Sequence, residues 1–122
     1  MSNITDNSFS FERLEVYQRA LHFATELCQM GVEFPHVYSR LRDQLVGAVI
    51  SVPLNIAEGS GRLGGKDKAN FYKYARASVF ESIPILTICN NLKLIKTEDV
   101  VRYKGEASEL SKMIYGLMKS TL

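Results

Sequence analysis

The sequence predicts an all-α protein, an antiparallel up-down four-helix bundle, from three observations. Four segments carry apolar residues at the three- and four-residue spacing that marks one face of a helix. The connections between these segments are short, which makes successive helices antiparallel neighbours. The composition of the 122 residues, 46% hydrophobic and 23% charged, is ordinary for a globular domain. We therefore expect a single domain over residues 1–122, with a flexible N-terminus over residues 1–10.

The first two helices are predicted from their apolar faces and from the residues that bound them. Helix one is predicted over Phe11–Met30, with Ser10 available as its N-cap and Gly31 available to end it. A connector that carries Pro35 follows, and Ser39 opens the second helix. The glycines that follow this helix are expected to end it and to let the chain turn.

The third and fourth helices complete the predicted bundle. Helix three is predicted from about Lys66 to Leu94. Helix four starts at Thr97, places Glu98 and Asp99 in its first turn, where the helix dipole favours carboxylates, and reaches Met118.

Two prolines lie inside the helical patterns, Pro53 in the second helix and Pro84 in the third. Each removes a backbone hydrogen bond, so we expect a kink that tertiary packing compensates. Asn55 and Glu58 follow Pro53 on one helix face. We expect both near the bundle interior, with partners among freed backbone groups, Arg62 or one another.

The sequence contains no pattern typical of a cofactor site, a metal site or an export signal. His22 and His36 are isolated, so no metal-ligand set is predicted, and no cofactor is expected. Cys28 and Cys89 form no CxxC pair, which predicts reduced core thiols. Without an export signal or a membrane-spanning segment, the expected location is cytoplasmic.

The sequence also disfavours an enzymatic function. Asn55, Glu58 and Glu81 could form a small catalytic set, but no nucleophile or metal site lies near them in sequence. The stretch Gly59–Gly64 matches GxGxxG, yet it continues a helical pattern where the dinucleotide fingerprint requires a strand. We therefore predict a protein without enzymatic activity.

The small net charge of +2 hides an uneven distribution. Residues 1–61 carry a net charge of −3 and residues 62–122 a net charge of +5. The positive excess is concentrated in residues 62–76, which we call the basic run. Such a run attracts polyanions, although its cations could instead be paired with acidic residues in the fold. The predicted nucleic-acid-binding residues are Arg62, Lys66, Lys68, Lys73 and Arg76.

The third helix carries more apolar residues than one bundle face requires. A second apolar stripe usually marks a partner surface, so we expect self-association into a symmetric ring or dimer. The alternative is that this helix is simply central in the bundle. The predicted oligomer interface is Tyr72, Val79, Phe80 and Ile83.

Several stretches resemble a known family, the "four helix bundle protein" family encoded in intervening sequences of bacterial large-subunit ribosomal RNA genes. The resemblance covers nearly the whole chain and centres on an NIAEG-x-GR motif. The stretches that carry it are Phe11–Tyr17, Phe34-Pro35, Gln44-Leu45, Ser51–Arg62, Asn70–Tyr72, Ala75–Ser78 and Phe80-Glu81.

The resemblance implies an up-down bundle that assembles into a ring-shaped homopentamer and has no enzymatic activity. It also implies similarity to the accessory variability proteins of diversity-generating retroelements, which bind nucleic acid through a basic surface and contact a reverse transcriptase. The motif positions that we expect to be structural are Asn55, Glu58, Gly59, Gly61, Arg62 and Glu81.

Two functions follow as hypotheses. The first is a homo-oligomeric module that binds structured RNA or an RNA–DNA hybrid through the basic start of helix three. The second is a protein scaffold or adaptor, for example a reverse-transcriptase accessory, without a direct role in nucleic-acid binding.

Overall fold

The computed structural model describes residues 8–122, which form four α-helices joined by short turns. The helices are α1 Glu15–Val32, α2 Ser39–Ser60, α3 Gly65–Asn91 and α4 Thr97–Ser120. Over this range no residue lies in a β-strand, and the all-α prediction is confirmed. Of the predicted flexible segment 1–10, residues 1–7 lie outside the described residues, and Ser10 already opens a 3-10 turn that ends at Arg13.

The helices pack in chain order around one core, and α4 closes the bundle against α1. In the described part of the chain, the diagonal pairs α1 with α3 and α2 with α4 do not approach each other. The α1–α2 pair therefore forms one side of the bundle and the α3–α4 pair forms the opposite side. None of these four helices is both long and apolar enough to cross a membrane.

The bounds of the first helix differ from the prediction. Helix α1 begins at Glu15, because the preceding residue, Leu14, has an extended backbone. Leu14 thereby separates α1 from the 3-10 turn. It continues through Gly31, which has no positive φ, and ends at Val32, shortly before Pro35. Glycine can end a helix by adopting a left-handed conformation, but nothing prevents it from remaining helical.

One continuous apolar core fills the bundle, and every helix contributes to it. Burial raises the pKa of the Cys89 thiol to about 11, as expected for a core cysteine. Cys28 is only half-buried, so the prediction of a core thiol holds for Cys89 alone. The largest fully buried side chains are Phe23, Leu27, Leu45, Val49, Val52, Ile56, Val79, Leu86, Cys89, Leu110 and Ile114.

The side of the bundle between α1 and α4 is held by ion pairs as well as by apolar contacts. The Arg19 guanidinium donates two hydrogen bonds to the Glu106 carboxylate, at 3.0 and 2.9 Å, and this contact raises the pKa of Arg19. Arg102 on α4 lies 3.4 Å from Glu26 on α1. A cleft of about 420 Å³ lies between the two helices, which pack less closely than the other neighbouring pairs.

Two glycines allow close approach at the end of the bundle where α3 begins. A Cβ atom at Gly59 would lie 2.6 Å from the Tyr72 ring and 3.2 Å from the Lys68 carbonyl oxygen. A Cβ atom at Gly65 would overlap the carbonyl oxygen of Thr121, after the end of α4. Since Tyr72 is almost fully buried, its ring has little room to move away.

The Gly59→Ala variant should therefore lose about 1–3 kcal/mol in free energy of unfolding, since the added methyl group forces the core apart. Urea denaturation at fixed protein concentration measures this change. Gly47→Ala is the matched control, because a Cβ atom there meets nothing within 4 Å. It should gain about 0.5–1 kcal/mol, as a helix-interior Gly→Ala change does. A loss of similar size in both variants would contradict the close-contact argument.

Candidate nucleic-acid interface

Arg62 connects the end of α2 to the start of α3. Its guanidinium lies 2.6 Å from the Glu58 carboxylate, 3.8 Å from that of Asp67, and 4.4 Å from the centre of the Phe71 ring. Two carboxylates therefore balance the Arg62 charge within the chain. The expected Glu58–Arg62 contact is confirmed, but Glu58 itself is exposed and not interior.

Lys68 is also committed to the α2–α3 connection. Its Nζ donates a hydrogen bond to the Ser60 carbonyl oxygen at 2.9 Å and lies 3.5 Å from that of Gly59. These are carbonyl groups of the last turn of α2, which have no partner inside the helix. Lys68 therefore caps α2 and is half-buried, which leaves its charge less accessible than that of a free surface lysine.

The remaining three cations of the predicted run are placed differently. Lys66 and Lys73 are exposed, and Arg76 is half-buried. Within residues 8–122, none of the three has a carboxylate oxygen within 4.0 Å. The structure thus separates the predicted basic run into Arg62 and Lys68, which hold the fold, and three cations that are not paired.

Arg76 lies between two aromatic rings on the α3–α4 side of the bundle. Its guanidinium carbon is 4.8 Å from the centre of the Phe80 ring and 5.6 Å from that of Tyr115 on α4. Its Nε nitrogen is buried without a hydrogen-bond partner. Lys119 approaches the same Tyr115 ring at 5.6 Å. Phe80 and Tyr115 remain 54% and 49% exposed, so much of each ring faces solvent.

The helical spacing places further lysines of α3 and α4 on the same side of the bundle as Arg76 and Phe80. Lys66 and Lys73 lie seven residues apart and on the side of Phe80, whereas Lys112 lies three residues before Tyr115. Lys104 lines a groove beside Phe80. Lys112 is 3.8 Å from Glu109 in an exposed pair, which screens it only weakly. We call this region the basic face; it comprises Lys66, Lys73, Arg76, Phe80, Lys104, Lys112, Tyr115 and Lys119.

Three acidic residues of α3 and α4 pair with arginines outside the basic face, whereas Glu109 pairs with Lys112 within it. Asp67 lies near Arg62, and Glu106 bonds to Arg19 on α1. Asp99 contacts Arg102, which in turn reaches α1.

The lysines that α4 contributes to the basic face are not among the residues predicted from the sequence. They are scattered along the chain and form no basic run, so a local charge pattern does not reveal them. Their seven- and eight-residue spacing, from Lys104 to Lys112 to Lys119, is the signal that places them on one side of a helix.

The predicted oligomer interface on α3 needs correction. Tyr72 and Val79 are 3% and 1% exposed, so both belong to the core of the single chain and not to an outer stripe. Ile83 is half-buried against that core, and Phe80 alone is exposed. The reason is that α3 packs against both α2 and α4, which widens the buried sector of this helix.

An exposed apolar surface occurs instead on the opposite side, between α1 and α2. A shallow groove of about 480 Å³ lies there, lined mainly by apolar side chains, among them the half-buried Cys28. Leu21 has the helical spacing of the core face of α1, yet its side chain is exposed in this groove. We call this region the apolar groove; its exposed apolar residues are Leu21, Val32, Ile50 and Leu54.

The disfavoured catalytic set of Asn55, Glu58 and Glu81 is not brought together by the fold. The Asn55 amide donates a hydrogen bond to the Ser51 carbonyl oxygen at 2.8 Å, and Glu58 is paired with Arg62. Within residues 8–122, no hydrogen bond joins Asn55 or Glu58 to Glu81. The same range contains no group of three or more His, Cys, Asp or Glu residues that could hold a metal ion.

Removal of the Arg62 side chain should affect folding more than polyanion binding. Arg62→Ala removes exposed ion pairs and a cation–π interaction, so its free energy of unfolding should fall by about 1 kcal/mol. Lys66→Ala is the control, since Lys66 has no partner in the described residues, and its stability should change by less than about 0.5 kcal/mol. Urea denaturation and heparin binding measure the two effects. A larger fall in heparin affinity for Arg62→Ala than for Lys66→Ala would contradict this division.

Comparison with known proteins agrees with the fold. A crystal structure of a protein of unknown function from the S23 ribosomal protein family of Bacteroides thetaiotaomicron superposes with a TM-score of 0.75 at 19% sequence identity, covering 85% of this chain and 98% of that one. No curated protein matches. The family profile described as "23S rRNA-intervening sequence protein" matches residues 12–116. The chain therefore belongs to the 23S rRNA-intervening sequence protein family.

Proposed function

We propose that this protein is a non-enzymatic nucleic-acid-binding protein that acts as a homo-oligomer and holds phosphates on its basic face. The observation that carries the proposal is the placement of six cations on the α3–α4 side, around two exposed aromatic rings. Only Lys112 among them has a carboxylate within 4.0 Å in the described residues. The family description names an rRNA but no ligand.

Phosphate contacts explain affinity for RNA or an RNA–DNA hybrid. Lys and Arg side chains that neutralise phosphates release condensed counterions, and this release drives binding without reading the sequence. Six cations on one side can follow a nucleic-acid backbone along two antiparallel helices. Discrimination among nucleic acids then comes from shape or from a partner protein, which suits a structured RNA or a hybrid.

Self-association would multiply these contacts. The apolar groove between α1 and α2 exposes Leu21, Val32, Ile50 and Leu54 on the side opposite the basic face. In a ring, the apolar groove of each copy would pack against a different surface of its neighbour and bury apolar area there. The proposal requires that this second surface lies outside the basic face, so that every basic face stays accessible. Several weak phosphate sites in one assembly bind with avidity. A ring-shaped homopentamer, which the family resemblance implies, is the assembly that we propose.

Binding to a hairpin RNA should weaken steeply with salt. Interaction with about six phosphates predicts that affinity falls on the order of 10³-fold between 50 and 200 mM NaCl. Lys73→Gln should weaken binding and reduce the salt slope by about 0.7–0.9, the value expected for one phosphate that is no longer neutralised. Mobility shift assays with RNA, DNA and hybrid at both salt concentrations measure this. Arg40→Gln, a matched exposed cation on α2, should change neither quantity. Salt-independent binding would refute the proposal.

The apolar groove should determine the oligomeric state. Size-exclusion chromatography with light scattering should give a multiple of the 13.7 kDa chain mass, five-fold for a pentamer. Leu54→Glu and Ile50→Glu should dissociate the assembly, because they place charge in a surface that association would bury. Leu63→Glu is the control, since Leu63 is fully exposed in the turn before α3. A monomeric wild-type protein would favour the scaffold or adaptor function, with another protein, for example a reverse transcriptase, in the groove.

A further inference from the structure

The basic face contains two features that phosphate binding alone does not require. Phe80 and Tyr115 expose about half of their surfaces, and both lie among cations. Both rings flank the same guanidinium, that of Arg76, at 4.8 and 5.6 Å. Stacking on aromatic faces is how proteins hold unpaired nucleic-acid bases next to a cationic groove.

A groove beside Phe80 provides room for such a base. It has a volume of about 220 Å³ and lies between α3 and α4. Small side chains, Ala107, Ser108 and Ser111, line it on α4, and Lys104 lies at its edge. The Ser108 hydroxyl is exposed and can exchange hydrogen bonds with a base edge. The groove thus combines an aromatic surface, a hydroxyl group and a cation.

The position of Arg76 beside both rings links phosphate binding to base stacking. The Arg76 guanidinium lies within cation–π distance of both rings, which restricts the positions that this side chain can adopt. No carboxylate of the described residues balances its charge. A phosphate that contacts Arg76 would therefore place its neighbouring bases close to Phe80 and Tyr115.

We infer that the α3–α4 groove binds single-stranded RNA, with unpaired bases stacked on Phe80 and Tyr115 and the backbone held by Arg76, Lys104 and Lys119. This inference rests on the proposed function and adds a substrate class to it. A duplex cannot use the aromatic surfaces, because its bases are already stacked on one another. Single-stranded loops of a structured RNA would present the required bases.

The test compares three probes by fluorescence anisotropy on the 122-residue protein: a single-stranded RNA, its duplex, and inorganic polyphosphate as a competitor without bases. The wild-type protein should bind the single strand more tightly than the duplex. Phe80→Leu and Tyr115→Leu should each weaken single-strand binding by about 5- to 100-fold, the range expected when one stacking residue is removed. The salt slope and the polyphosphate competition should remain unchanged, because no charge is removed.

Matched variants separate stacking from folding and from charge. Tyr115→Phe keeps the ring and should retain single-strand binding. Tyr74→Leu removes a tyrosine of α3 with similar exposure, 52%, outside the basic face, and should have no effect. Lys104→Gln should weaken binding of all three probes and lower the salt slope. Circular dichroism checks that each variant keeps its helix content.

The outcomes distinguish the two proposals. If none of the probes binds, the proposed nucleic-acid function fails, and the stacking inference fails with it. If duplex and single strand bind equally and the two Leu variants match the wild-type protein, only the stacking inference is overturned. If Tyr74→Leu lowers affinity as much as Tyr115→Leu does, the site lies elsewhere, and the inference is likewise overturned.

Discussion

The contact between Gly59 and the buried ring of Tyr72 sets how closely α2 and α3 approach, and the placement of the other helices depends on it. A side chain at position 59 would meet the ring and the Lys68 carbonyl group, so only a glycine permits this separation. Lys68 caps the carbonyl groups at the end of α2, and Arg62 joins both sides of the turn. Gly59, Glu58 and Arg62 of the NIAEG-x-GR motif therefore all lie at the α2–α3 connection.

Arg62 and Lys68 both make their contacts within the α2–α3 connection, and this changes how the charge distribution along the chain is interpreted. Charges in a short basic stretch bind a ligand less readily when the fold already pairs them, and here the turn uses Arg62 and Lys68. The cations that remain are joined by lysines of α4, which the packing of α4 against α3 brings to the same side. The basic face is thus a product of helix packing, and two aromatic rings lie at its centre.

The bundle has two chemically different sides. Between α1 and α2 the exposed residues are apolar, whereas between α3 and α4 they are cationic and aromatic. The two helix pairs lie on opposite sides of the bundle, so a surface that covers the first need not cover the second. This separation is what a multivalent phosphate-binding assembly requires, since avidity depends on several sites being accessible at once.

Local signals in the chain were enough to predict the four helices, their order and the turn between α2 and α3, because apolar spacing, prolines and glycines act on neighbouring residues. Charge alone also identified Lys66, Lys73 and Arg76 as candidates for binding. The sequence left open whether Tyr72 and Val79 face a partner or the centre of the bundle, and the packing of α3 against two neighbours decides for burial.

The same limit applies to the site. That Lys68 caps the end of α2, and that Tyr115 and Lys119 join Arg76, became clear only from the packed helices. These facts depend on contacts between side chains of different helices, many of them distant in sequence. Periodicity and local charge contain no information about such contacts, because they describe one helix at a time.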